Sequence, residues 1–350
     1  MINLTTLDHL YQLYENQPRR LAFRASSLVE WQAWRDTLRA KLVELLGGFP
    51  LERSPLNPLV LETSREEGYR LEKVAFESEP GLHVPCYVLI PDQAVPPYRP
   101  VIAIHGHGSG GANYLIGRAW DEATRSEELE IIRTHNHDYA RQLALRGFMV
   151  FVPVQRGLGE RLENQPGLNN WRGAGLSSCR VLSYNAMLLG KTLLGMRVWD
   201  IIRTIDYIRS RSEPMIEGLG CLGFSGGATS TLFTTALEPR ITVAVVSGYF
   251  NRFRTSIMAM NHCECNYVPR LLEYAEMADI AGLIAPRPLL VESGKKDGIF
   301  PVEGTLAAYQ DLGRIYELLD AVDALDKDIF DKDHQFHGAK AFDWLERWLK

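Results

Sequence analysis

Apolar residues recur along the first 48 positions at spacings of three and four, which is the period of an amphipathic helix. Two stretches carry this pattern, one over residues 7–14 and the other over residues 31–46. A glycine pair and then Pro50 end the second stretch, because neither residue type continues a helix well. The pattern predicts a helical extension and linker over residues 1–59. We expect it to pack against the rest of the chain or against a second subunit, which would make a homo-oligomer.

The pattern changes after this extension. Segments 71–76 and 82–90 read as two antiparallel strands, and short apolar runs then alternate with helical stretches. The runs cover residues 101–104, 148–154, 220–224, 241–246, 288–291 and 328–330, and the helices cover about residues 136–146, 191–211, 226–237, 302–318 and 338–349. This order predicts an α/β catalytic domain over residues 60–350, whose mostly parallel central sheet carries helices on both faces. The segment 155–190, rich in Gly, Asn and Ser, is expected to form a cap or insertion.

Composition and charge narrow the class of protein. The chain has 38 basic and 43 acidic residues and a formal net charge of −5, which disfavours nucleic-acid binding. No apolar run is long enough for a transmembrane helix, so no membrane span is expected. The first residues lack the basic and apolar regions of a signal peptide, so we expect a cytoplasmic location. Five scattered cysteines do not indicate a disulfide framework.

The segment Gly223-Phe224-Ser225-Gly226-Gly227 joins a predicted strand to a predicted helix. A nucleophilic serine needs such a strained turn, with small neighbours that let the backbone fold tightly. The start of the following helix also favours developing negative charge. Ser225 is therefore the predicted nucleophile, and a capping serine in a structural turn is the alternative.

A serine nucleophile requires a base, and the base requires an orienting acid. Asp297 follows one late apolar run, and His334 follows the last predicted strand. The order Ser225, Asp297, His334 fits a triad whose acid and base come from successive strands. Glu292 is the alternative acid, and His337 is the alternative base.

The glycine-rich segment 105–111 follows the run 101–104 and exposes backbone N–H groups. An oxyanion needs two such donors, and the sequence predicts the N–H of Gly226 and the N–H of His107. A phosphate-binding loop is the alternative, but the segment has no lysine near its end. No cofactor is expected.

His262, Cys263 and Cys265 lie within four positions and are residue types that bind zinc. No second pair with zinc-finger spacing follows, so the sequence predicts no metal site. We expect this segment to be a loop near the pocket. Tyr249, Tyr267 and His262 are candidates for lining the substrate site.

Five motifs together resemble the α/β-hydrolases, in particular the acetyl xylan esterase and dienelactone hydrolase-like branch. The motifs are His105-Gly106-His107-Gly108, Gly223-Phe224-Ser225-Gly226-Gly227, Ala285-Pro286-Arg287-Pro288, Gly294-Lys295-Lys296-Asp297 and His334-Gln335-Phe336-His337-Gly338. The resemblance covers residues 60–350 and implies Ser225 as nucleophile, Asp297 as acid and His334 as base. The chain departs from the family at Asp333, where a glycine commonly stands. It also carries serine, and not the cysteine of true dienelactone hydrolases, at position 225.

The resemblance implies a serine carboxylesterase acting on a small-molecule ester. By analogy, the substrate is expected to be a short-acyl ester, such as an acetyl ester of a sugar or related alcohol. A peptidase of the same fold and a non-catalytic α/β-hydrolase-like binding protein are the alternatives.

Overall fold

The computed structural model describes residues 4–108, 110–172 and 175–350. Residues 1–3, 109 and 173–174 lie outside this description, and with them parts of the predicted chain start, glycine-rich loop and cap. The strands are β1 (Leu59–Glu66), β2 (Tyr69–Glu79), β3 (Leu82–Pro91), β4 (Arg99–Ile104), β5 (Phe148–Pro153), β6 (Asn170–Arg172), β7 (Gly175–Ser177), β8 (Gly220–Phe224), β9 (Val243–Ser247), β10 (Leu289–Gly294) and β11 (Leu325–Phe330).

Helices alternate with these strands. They are α1 (Thr6–Asn16), α2 (Leu28–Leu45), α3 (Gly111–Leu115), α4 (Arg125–Thr134), α5 (Tyr139–Ala144), α6 (Cys179–Leu188), α7 (Leu193–Ser210), α8 (Gly226–Leu237), α9 (Met277–Gly282), α10 (Val302–Leu318) and α11 (Ala341–Trp348). Among the helices of the described residues, none combines the length and apolarity that crossing a membrane requires.

Nine strands form one sheet in the order β1-β2-β3-β5-β4-β8-β9-β10-β11. The three pairs from β1 to β5 are antiparallel, and the five pairs from β5 to β11 are parallel. The central strands β5, β8 and β9 are buried along their whole length, as expected for strands covered on both faces. The predicted α/β class with a mostly parallel sheet is thus confirmed.

Several elements were absent from the sequence prediction. Strand β1 is an edge strand whose residues are mostly exposed, so it lacks the buried alternation that marks a strand. The segment 155–190 contains the small hairpin β6–β7 and helix α6. Helices α4, of 10 residues, and α9, of 6 residues, also went unpredicted.

The N-terminal extension packs on the main domain. Leu38, Leu42 and Leu45 of α2 are buried in the same core cluster as residues of α8 and α9. Upstream, the Phe23 N–H donates to Asp279 Oδ1 at 2.8 Å. The leucines of α1, by contrast, are about half exposed. The expectation of a subunit contact through the N-terminal helices stays a prediction.

The parallel pairing brings four strand ends to one edge of the sheet. Ile104 at the end of β4 pairs with Gly223 of β8, and Gly294 at the end of β10 pairs with Phe330 of β11. Loops that leave these strands therefore emerge side by side, where open α/β sheets bind their ligands. All the residues predicted for the triad follow these ends.

Candidate active site

Ser225 lies on a strained turn between β8 and α8. Its backbone has φ 55° and ψ −121°, a conformation that is costly for a residue with a side chain. The turn is possible because its neighbours are glycines. A Cβ on Gly227 would lie 2.0 Å from the carbonyl oxygen of Ile104, so no side chain fits there. The sequence motif thus exists to fold this turn and to present Ser225 at the strand end.

Ser225, His334 and Asp297 form a continuous chain of contacts. His334 Nε2 lies 2.9 Å from Ser225 Oγ, and His334 Nδ1 lies 2.7 Å from Asp297 Oδ2. The other carboxylate oxygen of Asp297 accepts the N–H groups of Ile299 and Phe300 at 2.8 and 2.9 Å. With its Nδ1 proton directed at Asp297, the imidazole leaves Nε2 free to accept the serine hydroxyl.

Aromatic rings hold the imidazole of His334 in place. Phe224 lies 4.7 Å from it between ring centroids, and Phe300 is stacked against it at 5.7 Å. Phe224 directly precedes Ser225, and Phe300 is bound through its N–H to Asp297. The residues that position the serine and the acid therefore also fix the plane of the histidine ring.

His337, the alternative base, has other partners. Its Nδ1 lies 2.6 Å from Asp328 Oδ2, and its ring is stacked on Phe330 at 4.5 Å. Glu292, the alternative acid, is buried and accepts the N–H of Gly338 at 3.0 Å. Burial raises the pKa of Glu292 to about 7. Neither alternative residue contacts Ser225 in the described part of the chain.

The glycine-rich loop after β4 is held by the buried His105. Its Nε2 accepts the N–H of Gln155 at 2.9 Å, so the ring proton is on Nδ1, 3.0 Å from the carbonyl oxygen of Gly106. Burial lowers the pKa of His105 to about 4, so the ring is neutral at physiological pH. These contacts tie the loop to the segment after β5.

The two predicted oxyanion donors are neighbours. A Cβ on Gly226 would lie 3.4 Å from the backbone nitrogen of His107. Gly226 is the first residue of α8, where an N–H has no partner within the helix. Within the described ranges, neither N–H donates to another protein group. The pair is therefore free to bind an oxygen next to Ser225.

The ring of His107 lies against Gly226, with Nδ1 and Cε1 on that side. Its Nε2 faces three buried thiols. Its Nε2 lies 3.2 Å from Cys265 Sγ and 3.7 Å from Cys179 Sγ, and the Sγ atoms of Cys263 and Cys265 are 3.4 Å apart. Cys263 and Cys265 stand out in the sequence as a close pair, whereas Cys179 and the His107 ring lie far from them along the chain. No local spacing could have indicated them, because they come from separate segments of the chain.

A cavity of about 530 Å³ opens beside the serine. Ser225, His334 and His107 lie on its wall, together with His262. The other two residues proposed to contact substrate lie elsewhere. Tyr249 is 1% exposed and packs on Phe300, and the hydroxyl of Tyr267 donates to the carbonyl oxygen of Ile257 at 3.0 Å.

A buried ion cluster supports the segment after β5. Two nitrogens of Arg156 donate to Asp200 at 2.7 Å each, and Arg161 donates to it at 2.6 Å. Burial acts to raise the pKa of Asp200, but the two guanidinium groups outweigh it and lower the pKa to about 2. The two arginines thus anchor this segment, and neither is among the residues that line the cavity.

Comparison with known proteins places the chain among hydrolases. The chain is 27% identical over 288 residues to the putative hydrolase YtaP of Bacillus subtilis, which covers 81% of this chain and 88% of that protein. A putative acetyl xylan esterase from Bacteroides fragilis superposes with a TM-score of 0.81 at 18% identity, over 99% of this chain and 95% of that one. A glucuronoyl esterase from Solibacter usitatus superposes with a TM-score of 0.69 at 14% identity, over 96% and 98% of the two chains.

The model of the Abhydrolase family matches residues 5–332. This range takes in the N-terminal helices and every strand of the main sheet. The resemblance drawn from the five motifs is confirmed by this match. The chain belongs to the Abhydrolase family and is a hydrolase of the α/β-hydrolase fold.

Proposed function

We propose that this protein is a serine carboxylesterase that hydrolyses short-acyl esters, with acetyl esters of sugars or related alcohols as the preferred class. The observation that carries the proposal is the chain of contacts from Ser225 Oγ through His334 to Asp297, with distances of 2.9 and 2.7 Å. The two free N–H groups beside the serine support it, because acyl transfer needs donors at this place.

In the proposed reaction, Ser225 Oγ attacks the ester carbonyl carbon while His334 Nε2 takes the hydroxyl proton. The carbonyl oxygen becomes an oxyanion, which the N–H groups of Gly226 and His107 bind. Asp297 holds the imidazole in orientation and stabilises its charged form. The donors are fixed before the substrate arrives, so little reorganisation is needed during the reaction.

Collapse of this first intermediate breaks the bond between the carbonyl carbon and the alcohol oxygen. His334 gives its proton to the departing alcohol, and the acyl group stays on Ser225. A water molecule then enters, loses a proton to His334 and attacks the acyl carbon. Return of that proton to Ser225 releases the carboxylic acid.

The preference for esters of sugars or related alcohols rests on the solved relatives and on the mixed chemistry of the cavity. Two structural relatives are described as a putative acetyl xylan esterase and a glucuronoyl esterase, both carbohydrate esterases. The cavity wall of this chain carries Arg180, Asn261 and His262 beside apolar Leu158 and Ile299. Polar side chains of this kind suit a hydroxylated alcohol better than a long hydrocarbon.

The test compares hydrolysis of p-nitrophenyl acetate by the wild-type protein and by Ser225→Ala. We expect kcat/KM of the variant to fall by a factor of about 10⁴ or more, because the nucleophile is gone. Ser210→Ala is the matched control, since in the described part of the chain this serine at the end of α7 donates to the carbonyl oxygen of Tyr207 and to no other group. It should retain wild-type activity.

A fluorophosphonate probe separates the alternatives. A serine esterase labels covalently at Ser225, whereas a non-catalytic binding protein does not label. A labelled protein that cleaves peptide amides faster than acetyl esters would support a peptidase. Equal activity of wild type and Ser225→Ala would remove Ser225 from the mechanism.

A further inference from the structure

Four potential metal ligands converge behind the glycine-rich loop. They are His107 Nε2 and the Sγ atoms of Cys179, Cys263 and Cys265, all within 4.8 Å of one another. They come from three separate segments: the loop after β4, the first residue of α6, and the short loop around residues 263–265. We propose that these four residues form a structural zinc site that ties the three segments together.

The distances suit tetrahedral zinc. A zinc ion bound at about 2.3 Å to sulfur and about 2.05 Å to nitrogen places two sulfurs about 3.8 Å apart and a sulfur and nitrogen about 3.6 Å apart. The structure has 3.4 Å between Cys263 Sγ and Cys265 Sγ, and 3.2 and 3.7 Å from His107 Nε2 to the sulfurs of Cys265 and Cys179. A set of three cysteines and one histidine is also a recurrent donor set of structural zinc.

Arg197 supplies a second argument, based on charge. It is 2% exposed, and one of its nitrogens donates to Cys179 Sγ at 3.1 Å. The other hydrogen bonds of Arg197 go to the carbonyl oxygen of Arg156. In the described part of the chain no carboxylate pairs with Arg197. A buried guanidinium needs a compensating negative charge. Zinc with three thiolates and a neutral imidazole carries a net charge of −1, which compensates for Arg197.

The surroundings of the sulfurs fit bound thiolates. Asn266 Nδ2 donates towards Cys265 Sγ at 3.7 Å, as Arg197 does towards Cys179. Leu158 and Leu193 pack on the cysteines and complete a buried apolar cluster. N–H donors to the ligands within an apolar shell are the usual outer environment of protein metal sites. When Zn²⁺ binds, each of the three thiols releases a proton to solvent.

The site would have a consequence for the loop that carries His107. The ring of this residue would be fixed by the metal, while its backbone nitrogen lies next to Gly226. Zinc would thus hold one end of the predicted oxyanion hole through the side chain of His107. This consequence rests on the proposed function, whereas the zinc site itself does not.

The test measures metal in the full chain, purified under reducing conditions without chelators. We expect one equivalent of zinc per chain, released when a mercurial reagent blocks the thiols and detected with a colorimetric indicator. Replacement of zinc by Co²⁺ should give the intense visible absorption of a tetrahedral thiolate site. The X-ray absorption spectrum of the wild-type protein should fit three sulfur ligands and one nitrogen.

Variants assign the ligands. Cys179→Ala, Cys263→Ala and Cys265→Ala should each lose most of the zinc. Cys86→Ala and Cys221→Ala are matched controls, because both cysteines are buried in the core away from the cluster, and they should keep it. The wild-type spectra stand even if a ligand variant fails to fold.

Two results would overturn the proposal. One is a reduced wild-type protein that binds no zinc after incubation with an equimolar amount. The other is a disulfide among the three cysteines, found by mass spectrometry in protein purified without reductant. Neither measurement uses a substrate, so a failure of the zinc proposal is distinct from a failure of the esterase proposal.

Discussion

Two histidines near the end of β11 lie three positions apart, and each is paired through Nδ1 with an aspartate. His334 lies 2.7 Å from Asp297, and His337 lies 2.6 Å from Asp328. The other ring nitrogen of His334 faces Ser225, and both residues line an open cavity. The second ring is stacked on Phe330. A histidine–aspartate pair is therefore not sufficient for catalysis. The group that faces Nε2 of the histidine decides the role of the pair.

Removing each of the two rings in turn should show the largest difference between the pairs. His334→Ala should lower kcat/KM for p-nitrophenyl acetate by a factor of about 10⁴ or more, because Ser225 loses its base. His337→Ala should change it by less than about tenfold, since its ring contacts no reacting group. Steady-state kinetics on both variants check this. Comparable losses in the two variants would contradict the assignment of the base.

A smaller effect is expected from moving the loop that carries His334. A Cβ on Gly294 would lie 2.4 Å from the carbonyl oxygen of Asp333 and 2.5 Å from that of Lys332. Gly294→Ala should therefore displace His334 and lower kcat/KM up to about 10²-fold, because small misplacements of catalytic groups are costly. In Gly298→Ala the new Cβ meets no atom within 4 Å, and kcat/KM should stay near wild type.

Kinetics and thermal unfolding of both glycine variants test this expectation. If Gly294→Ala keeps full activity, the loop tolerates displacement and the exact position of His334 matters less than proposed. A loss of activity in Gly298→Ala alone would point to the acid loop around Asp297 as the sensitive element.

The smallest expected effect is on stability, and it comes from Glu292, which lies near the pair of His337 and Asp328. Its pKa is raised from 4.5 to about 7, chiefly by burial, so the folded protein holds this proton more tightly than the unfolded chain. The resulting stabilisation is fully present below pH 4.5 and is lost as the pH rises to about 7. The free energy of unfolding changes through this group by at most about 1.4 kcal/mol per pH unit. Glu292→Gln removes this dependence and keeps an oxygen for the N–H of Gly338.

Urea unfolding across this pH range provides the measurement. The difference in free energy of unfolding between wild type and Glu292→Gln should change with pH in the stated direction. Glu346→Gln, at an exposed position of α11, should leave the wild-type slope intact. Parallel curves for wild type and Glu292→Gln would show that Glu292 does not titrate in this window.

The sequence predicted the parts of the molecule whose chemistry is local or ordered along the chain. Buried strands such as β8 and β9 appear in the sequence as short apolar runs. The turn at Ser225 requires glycines beside it, and these glycines form a recognisable motif. The positions of Asp297 and His334 followed from the order of the strands that carry them. These features depend on nearest neighbours or on sheet topology.

Other parts could not be predicted because they depend on long-range packing. Cys179 and the ring of His107 meet Cys265 only after three segments have folded together. Tyr249 was expected in the substrate site, but its ring is buried against Phe300. Strand β1 is exposed along most of its length, so its pairing with β2 leaves no apolar alternation to detect.

The N-terminal extension has a practical consequence for anyone who would trim this protein. Helix α2 inserts Leu38 and Leu42, both fully buried, into the core shared with α8 and α9. A truncated polypeptide starting at Leu59 would keep every residue of the predicted triad yet expose the apolar surface that α2 covers. We therefore expect the smallest unit of this chain that folds on its own to begin before α2, although the predicted triad lies entirely after it.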